Sequence, residues 1–403
     1  MPRFIVVVLD GFGVGEMPDV PVVRPQDIGA NTASKLINYF PNDSLPTLES
    51  LGLVNITETK VPSMEVNKLA NVGKMMLAHE GGDTFMGHQE IMGTKPKSPL
   101  IKPFKESIDL IEHALLTSGL SVERIHKNEL ELLVVNKCVT VGDNLEADLG
   151  QVYNITGNLN EITFESLLDI GKIVRSNNCV ARNIVFGGNL SSSSQLLDAI
   201  ETKGSTYIGV SAPKSGVYDH GFQVMHLGYG VDTSKQVPAQ LHQVGVKTTL
   251  IGKVADIVGN ESGTNYMQMV DTTKIMDKAA AEIKENSDGF FCINIQETDL
   301  SGHQEDPQRY WKTLKKADRG LNMLTSLLDV KDTLVVIADH GNDPFIGHSR
   351  HTREFVPLMV YKPQLTNVNL GIRNTLSDVG ATVCEFFGAK QPENGHSFLH
   401  LIL

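Results

Sequence analysis

The chain has 403 residues, enough for two or three domains of ordinary size. Hydrophobic residues make up 41% and charged residues 20%, which is typical of a soluble globular protein and argues against disordered and membrane classes. The 35 Lys and Arg against 47 Asp and Glu give a net charge of −12, which disfavours binding to nucleic acid.

Two further features of the composition point to the cytoplasm. The N-terminal apolar run, residues 4–9, is too short for a signal peptide, and no later stretch reaches the roughly 18 apolar residues of a membrane span. The four cysteines lie far apart without a CxxC pair, so we expect buried thiols rather than disulfides or a zinc-thiolate site. The sequence thus predicts a cytoplasmic protein without a membrane partner.

Short apolar runs that are continuous rather than alternating predict strands covered on both faces, at 4–9, 248–253, 290–295, 333–338 and 357–361. Helical patterns lie between them. One covers 275–283, and another follows Asp306-Pro307 with an apolar stripe from Trp311 to Leu328. We therefore predict an α/β fold with a mostly parallel sheet and helices on both faces.

Between about residues 100 and 220 the pattern changes. A helical stretch at 108–115, an apolar run near 131–141, a helix at 164–175 and a serine run at 191–194 do not continue the first sheet. We expect this block, 100–221, to be an inserted α+β cap domain. The catalytic core domain would then be built from 1–99 and 222–403.

Candidate metal ligands follow the predicted strands. Because open α/β sheets bind ligands at the carboxyl ends of their strands, these side chains should meet at one edge. Carboxylates and imidazoles suit Mn²⁺, Zn²⁺ or Mg²⁺, and six ligands divide naturally between two ions, as in phosphoryl-transfer sites. The candidates are Asp10, Asp299, His303, Asp339, His340 and His351.

A glycine-rich segment at 81–96 is the candidate for the nucleophile. Thr84 lies in it between Gly82 and Gly87, where the backbone could approach an oxyanion closely and metal coordination could activate the hydroxyl. Spacing alone does not separate Thr84 from Ser63 or Thr94.

The motifs together resemble the phosphopentomutase family, within the alkaline phosphatase superfamily of two-metal phosphoryl-transfer enzymes. The resemblance extends over most of the chain and includes LDGFGVGEMPD at the start, GANT at 29–32 and DTFMGHQEIMG around Thr84. It continues with IGKVADI at 251–257 and with ADHGNDP followed by HTREFVPLMVY. It implies an alkaline-phosphatase-like core with an inserted cap.

The resemblance also implies a role for each site residue. Asp10, Asp339 and His340 would bind one metal, and Asp299, His303 and His351 the other. Thr84 would be the phosphorylated nucleophile, and Lys253 and Arg182 would contact the substrate. The metals would most readily be Mn²⁺, with Zn²⁺ or Mg²⁺ as alternatives, and a sugar bisphosphate would act as activator.

Three features depart from the family pattern. The segment after Arg182 lacks the family's RTPNRxDYALKP form, and Gln89 stands where the family has Trp. The Asp299 to His303 spacing is one residue shorter than in phosphopentomutases and resembles the DxxGH of cofactor-independent phosphoglycerate mutase. The metal ligands are thus complete while the specificity region differs.

We therefore predict a phosphomutase acting on a ribose or deoxyribose phosphate, between its 1- and 5-phosphates. One alternative is a phosphatase or phosphodiesterase of the same superfamily, which would release inorganic phosphate. Another is a non-catalytic metal-binding homologue, which should lack the nucleophile or a ligand; neither is missing here.

Overall fold

A computed structural model describes residues 2–146 and 149–403. The chain divides into two compact units, Met1–Pro96 with Asp232–Leu403, and Lys97–Val231. The boundaries predicted at 99/100 and 221/222 differ from these by three and ten residues. The larger difference arises because the strand Gln223–Gly228 pairs with Arg182–Gly188 inside the second unit.

The strands, in chain order, are β1 Arg3–Leu9, β2 Asn71–Met75, β3 Val122–Lys127, β4 Leu130–Val135, β5 Val139–Asp143, β6 Val152–Asn158, β7 Arg182–Gly188, β8 Ile200–Lys203, β9 Tyr207–Val210, β10 Gln223–Gly228, β11 Thr248–Ile251, β12 Thr264–Tyr266, β13 Gly289–Ile295, β14 Thr333–Ile337, β15 Val356–Tyr361 and β16 Asn369–Arg373.

The α-helices are α1 Val20–Val23, α2 Thr32–Tyr39, α3 Pro46–Leu51, α4 Leu53–Thr57, α5 Thr84–Ile91, α6 Ile108–Thr117, α7 Phe164–Ser176, α8 Ser194–Asp198, α9 Ala212–Ser215, α10 Val237–Gln243, α11 Lys253–Ile257, α12 Thr272–Glu285, α13 Glu297–His303, α14 Pro307–Thr325, α15 Ser377–Phe386 and α16 Leu399–Ile402. Three short 3₁₀ turns lie at Pro25–Asp27, Phe104–Glu106 and Thr233–Lys235.

An eight-stranded sheet in the order β12-β11-β13-β1-β14-β15-β2-β16 forms the first unit. Its strands pair in parallel except for β15, which runs antiparallel to both β14 and β2. The run at 357–361 was thus correctly predicted as a buried strand, but its apolar character did not reveal its direction. The α/β fold with a mostly parallel sheet is confirmed.

The central strands of this sheet determine where the functional side chains lie. β1 pairs in parallel with β13 on one side and β14 on the other, and Leu9 is in register with Ile295. Because the strands point the same way, the residues that follow them emerge at the same edge. All three strands are mainly apolar and every residue in them except Arg3 is buried, so hydrophobic burial fixes the register that this edge depends on.

The longest helix, α14, begins as its sequence predicts. The Asp306 carboxylate accepts a hydrogen bond from the Arg309 amide, and Pro307 occupies the first helical position. The helix ends at Thr325, so the prediction that its apolar stripe reaches Leu328 was wrong at the C-terminal end. Leu328 instead packs against the core from the following turn, partly buried.

The second unit contains a six-stranded sheet in the order β10-β7-β6-β5-β4-β3 and a two-stranded sheet, β8-β9. Helices α6 and α7 contribute buried leucine, isoleucine and valine side chains to its own hydrophobic core. Arg182 is the first residue of β7, opposite Gly228. This unit is mixed α and β, with parallel pairing only between β6 and β7 among its described strands.

The four cysteines are free thiols, and Cys138, Cys292 and Cys384 are buried. Over residues 2–146 and 149–403, every helix is too short or too polar to cross a bilayer.

One buried carboxylate in the second unit should make its stability depend on pH. Asp143 is fully buried, and its two oxygens accept hydrogen bonds from the amides of Phe104 and Ile208. Burial raises the pKa of Asp143 to about 6, against the lowering effect of these amides. The folded chain then holds this proton more tightly than the unfolded chain, so the free energy of unfolding falls as pH rises from about 4 to about 6, by roughly 3 kcal/mol.

We expect Asp143→Asn to remove this dependence, because the amide does not ionise. The wild-type protein should exceed the variant in stability by more at pH 4 than at pH 7. Hydrogen exchange at the Phe104 and Ile208 amides, measured for both proteins, reads the local stability directly. A difference that is the same at both pH values would contradict the account.

Candidate metal centre and nucleophile

Side chains from the three central strand ends form one buried cluster. Asp10 follows β1, and Asp339 and His340 follow β14; one ligand atom of each lies within 4.8 Å of the others. Asp299, His340 and His351 form a second such group. Asp299 comes from α13, directly after β13, and His351 from the loop that returns beside Gly341. The predicted ligands are therefore close enough to share metal ions.

His303 adjoins the second group. Its Nε2 lies 3.3 Å from Asp299 Oδ2 and 3.0 Å from His351 Nε2. His340 reaches both groups, since its ring stacks on that of His351 at 3.9 Å between centroids. The predicted assignment gave His340 to only one metal; its Nε2 is 3.4 Å from Asp10 Oδ1 and 3.2 Å from Asp339 Oδ2.

All three imidazoles are oriented in the same way by the backbone. The Nδ1 atoms donate to backbone carbonyls, His340 to Gly341 at 2.9 Å and His303 to Ser349 at 2.6 Å. His351 donates to Gly82 at 2.7 Å. When these rings are neutral, the proton stays on Nδ1 and the Nε2 lone pair points into the cluster, which is how metal-binding histidines are commonly held.

Two buried atoms of the cluster support a cation site. Asp10 Oδ1 and His340 Nε2 face each other, and neither has a hydrogen-bond partner in the described part of the chain. Leaving buried polar atoms unpaired costs about 1–3 kcal/mol each. A carboxylate oxygen and an imidazole nitrogen are both good ligands for Mn²⁺ or Zn²⁺. The donor set therefore fits divalent metal.

Two carboxylates of the cluster, those of Asp299 and Asp339, are held ionised. Burial alone would raise the pKa of Asp299, but its contacts with His303 and His351 hold it well below the ordinary value. Burial opposes ionisation at Asp339 in the same way, and the charge of His340 holds that pKa well below its usual range. The cluster thus keeps its negative charge only beside positive charge, which a divalent metal would also supply.

Thr84 lies beside one of these carboxylates. It is the first residue of α5, where Asp83 caps the helix by accepting from the Met86 amide. The Thr84 hydroxyl donates to Asp339 Oδ2 over 2.7 Å. The hydroxyl is thus oriented by a predicted metal ligand and sits at the positive end of a helix dipole, which favours a phosphate on its oxygen.

The other two candidate hydroxyls lie elsewhere. Ser63 donates to the Asp43 carbonyl, and Thr94 accepts from the Gln236 side chain. Neither contacts a predicted metal ligand in these bonds. Of the three hydroxyls left open by the sequence, the structure brings only Thr84 to the cluster.

Lys253 and Arg182 were predicted from the resemblance to contact substrate. Lys253 begins α11, and its Nζ lies 2.9 Å from Asp10 Oδ2 and 3.6 Å from Asp299 Oδ2. Burial would lower the pKa of Lys253, but the charges of Asp10 and Asp299 raise it. Lys253 is thus a cation against the carboxylates of two predicted metal ligands. Arg182 lies in the second unit, and its substrate contact remains a prediction.

Three side chains that orient the ligands were missed by the sequence reasoning. Asn342 donates to Asp299 Oδ1 over 2.8 Å. Asn294 donates to Asp10 Oδ2 over 2.9 Å, and its own oxygen accepts from His88 Nε2 at 2.7 Å. Asn294 is a polar residue in the otherwise apolar strand β13, and that interruption was the available signal.

His88 lies under Thr84 on α5. Its Nδ1 donates to the Thr84 carbonyl at 2.8 Å and lies 3.2 Å from Asp339 Oδ2. Burial would lower the pKa of His88, but the Asp339 charge raises it. Gln89, where the family has Trp, points away and donates to the Ile257 carbonyl on α11. The substitution is thus accommodated in a buried polar contact.

Gly87 permits α5 to approach the strand end. A Cβ there would lie 2.6 Å from the Asp339 carbonyl oxygen and 2.9 Å from the Asp339 Cβ, closer than real atoms approach. The Thr84 to Asp339 hydrogen bond therefore depends on the absence of a side chain at position 87.

We expect Gly87→Ala to move α5 away from Asp339 and to lower the rate of a reaction at Thr84 by about 100-fold, the effect that a displacement near 1 Å can have. Overpacking should also cost about 1–3 kcal/mol of stability. Steady-state kinetics and thermal unfolding measure the two effects. Gly29→Ala is a control in the same unit, because a Cβ at Gly29 meets nothing within 4 Å, although its positive φ adds some strain. Equal activity in the Gly87→Ala and wild-type proteins would contradict this role.

Comparison with known proteins identifies the family. The Metalloenzyme superfamily matches residues 2–391. A phosphopentomutase of Acetivibrio thermocellus is 32% identical, with 100% of both chains covered. One of Herpetosiphon aurantiacus is 29% identical, with 98% of both covered. Among solved structures, Leishmania mexicana phosphoglycerate mutase aligns at 13% identity and a TM-score of 0.45, over 98% of this chain and 96% of its own. The chain therefore belongs to the Metalloenzyme superfamily and, within it, is phosphopentomutase-like.

Proposed function

We propose that the protein is a metal-dependent phosphomutase that moves a phosphoryl group between the 1- and 5-positions of ribose or deoxyribose phosphate, through a phosphothreonine at Thr84. The observation that carries this proposal is the 2.7 Å hydrogen bond from the Thr84 hydroxyl to Asp339, inside a cluster of six candidate metal ligands. The phosphopentomutases that match over their full length support the same reaction and substrate class.

Two divalent cations, most readily Mn²⁺ with Zn²⁺ or Mg²⁺ as alternatives, would be held by Asp10, Asp339 and His340 and by Asp299, His303 and His351. When bound, the metals would lower the pKa of the Thr84 hydroxyl and neutralise charge on the transferred phosphoryl group. Three aspartates and two dications sum to −3 + 4 = +1, a balance that favours an anionic substrate in an otherwise acidic chain.

The chain's own groups then account for the transfer. Asp339 accepts the hydrogen bond of the Thr84 hydroxyl and orients its oxygen. The N-terminus of α5 favours the dianionic phosphate once Thr84 carries it. Lys253, fixed by Asp10 and Asp299, adds a further positive charge at the same edge.

In the proposed cycle the phosphoryl group leaves Thr84 Oγ1 for a free hydroxyl of the sugar phosphate. The P–O bond to threonine breaks, the P–O bond to the sugar oxygen forms, and the proton of the sugar hydroxyl passes to Thr84 Oγ1, which becomes a hydroxyl again. The resulting sugar bisphosphate returns its other phosphoryl group to Thr84. A sugar bisphosphate would therefore serve as activator by loading Thr84, and the second unit would act as the cap that excludes water.

A phosphatase or phosphodiesterase of the same superfamily is the alternative reaction at this site. The same nucleophile and ligands would serve it, because the two outcomes differ only in whether a sugar hydroxyl or water takes the phosphoryl group from Thr84. The full-length similarity to phosphopentomutases favours the mutase. A non-catalytic homologue is disfavoured, because Thr84 and all six ligand candidates are retained together.

We expect purified protein to bind about two divalent metals per chain. Asp339→Asn and His351→Ala should each lower this number toward one, because each removes or weakens one of the three ligands proposed for one metal. Elemental analysis after dialysis against chelator-free buffer gives the count, and Asp143→Asn, in the second unit, is a control that should bind as the wild type does. A variant with the full metal content would contradict the ligand assignment.

We expect the wild-type protein to take up one phosphoryl group, a mass gain of about 80 Da, on incubation with a ribose bisphosphate. Peptide mass spectrometry should place it on Thr84, the only one of the three candidate hydroxyls that is oriented by a predicted metal ligand. Thr84→Ala should lose both adduct and turnover, whereas Ser63→Ala should keep both. An adduct on another residue, or turnover by Thr84→Ala, would overturn the nucleophile assignment.

A further inference from the structure

We propose that His88 and Asn294 form a relay that sets the nucleophile helix α5 in register with the metal ligand Asp10. Neither residue is among the predicted ligands, and neither is exposed to solvent at all. The proposal rests on the proposed function for its kinetic consequence, whereas its effect on metal affinity is measured without turnover.

The first step of the relay fixes the orientation of the Asn294 amide. The Asn294 NH₂ donates to Asp10 Oδ2 over 2.9 Å, which fixes the amide nitrogen on that side. The amide oxygen then points the other way, at His88. That oxygen accepts from His88 Nε2 over 2.7 Å.

The second step joins His88 to the nucleophile. Its Nδ1 donates to the carbonyl of Thr84 itself, four residues back on α5, and approaches Asp339 Oδ2 to 3.2 Å. One imidazole therefore touches the backbone of the nucleophile on one side and, through a single amide, orients a ligand carboxylate on the other. Thr84, Asp339 and Asp10 are linked through two side chains.

The rigid central strand β13 holds Asn294 in place. Asn294 lies in β13, in register with Val8 of β1, so its side chain starts from the most buried part of the sheet. Asp10 also accepts from Lys253, at the same oxygen, Oδ2. Because both donors bind Oδ2, the other oxygen of Asp10, Oδ1, faces His340, where a metal would bind. Outer-shell partners of this kind typically contribute 10- to 100-fold in metal affinity.

Three variants at His88 and Asn294 test the relay. In His88→Gln the amide nitrogen can reach the place of Nε2 and keep the bond to Asn294, whereas in His88→Asn it can reach only the place of Nδ1 and keep the bond to Thr84. Asn294→Ala removes the donor to Asp10. Calorimetric titration of the metal-free proteins with Mn²⁺ gives the affinity of each site.

We expect His88→Asn and Asn294→Ala to weaken one of the two metal sites by 10- to 100-fold, and His88→Gln to restore most of that affinity. The His88→Asn/Asn294→Ala double variant should bind no more weakly than the weaker single variant, since both interrupt one chain of contacts. In His88→Asn and Asn294→Ala, kcat should fall about 100-fold while KM changes by less than twofold.

Gln89→Ala is the matched control. Gln89 is the next residue on α5, is 1% exposed, and makes buried amide bonds to Ile257 and Gln236 without touching a metal ligand in them. Its loss should lower the thermal unfolding temperature and leave both metal affinities unchanged. General damage to α5 would instead weaken metal binding in Gln89→Ala as well.

Two outcomes overturn the relay while the proposed function stands: wild-type affinity in His88→Asn, or a double variant whose loss is the sum of the two single losses. A wild-type protein that binds no metal, or that takes no phosphoryl group on Thr84, would overturn the proposed function instead. That result is obtained from the wild type alone, so the two failures are distinguishable.

Discussion

The arrangement of the site depends on the parallel pairing of β13, β1 and β14 at the centre of the large sheet. Hydrophobic burial on both faces fixes these strands in register, and their common direction delivers three aspartates to one edge. Such a concentration of buried negative charge is stable only beside compensating positive charge. Lys253 supplies part of it, and two divalent metals would supply the rest in the proposed function.

This edge of the sheet also requires neighbouring backbone segments to approach each other closely. Gly87 lets α5 reach the Asp339 backbone, and Gly11, with a φ of 73°, donates its amide to Asp339 Oδ1 over 3.1 Å. A side chain at position 11 would lie 3.1 Å from Asp299 Oδ1. These glycines allow the nucleophile and the carboxylates to lie within hydrogen-bond reach of one another, which strand pairing alone would not achieve.

Much of this organisation could be predicted from the sequence. Continuous apolar runs identified the five strands, and the polar residues that end three of them identified Asp10, Asp299 and Asp339. Periodicity reports burial but not direction, so the antiparallel course of β15 was missed. The end of α14 was placed too late because Leu328 is apolar in the turn as well as in the stripe.

The residues that orient the ligands were the hardest to predict. The sequence-based prediction assigned His340 to one metal, whereas its ring adjoins both groups of candidate ligands. Sequence spacing does not encode the distances that decide which groups a side chain reaches. His88 and Asn294 lie 206 positions apart in the chain, and their hydrogen bond exists only once α5 packs on the sheet. Asn294 alone gave a signal, as a buried amide within an apolar strand.

The central claim is that Thr84 passes its phosphoryl group to a sugar hydroxyl rather than to water. Phosphorus NMR of the Mn²⁺-loaded protein at catalytic concentration, with ribose 1-phosphate and a trace of ribose bisphosphate, tests this most directly if spectra are taken after the manganese is removed with chelator. The account predicts conversion to ribose 5-phosphate with total sugar phosphate unchanged. Release of inorganic phosphate in step with the loss of ribose 1-phosphate would contradict it.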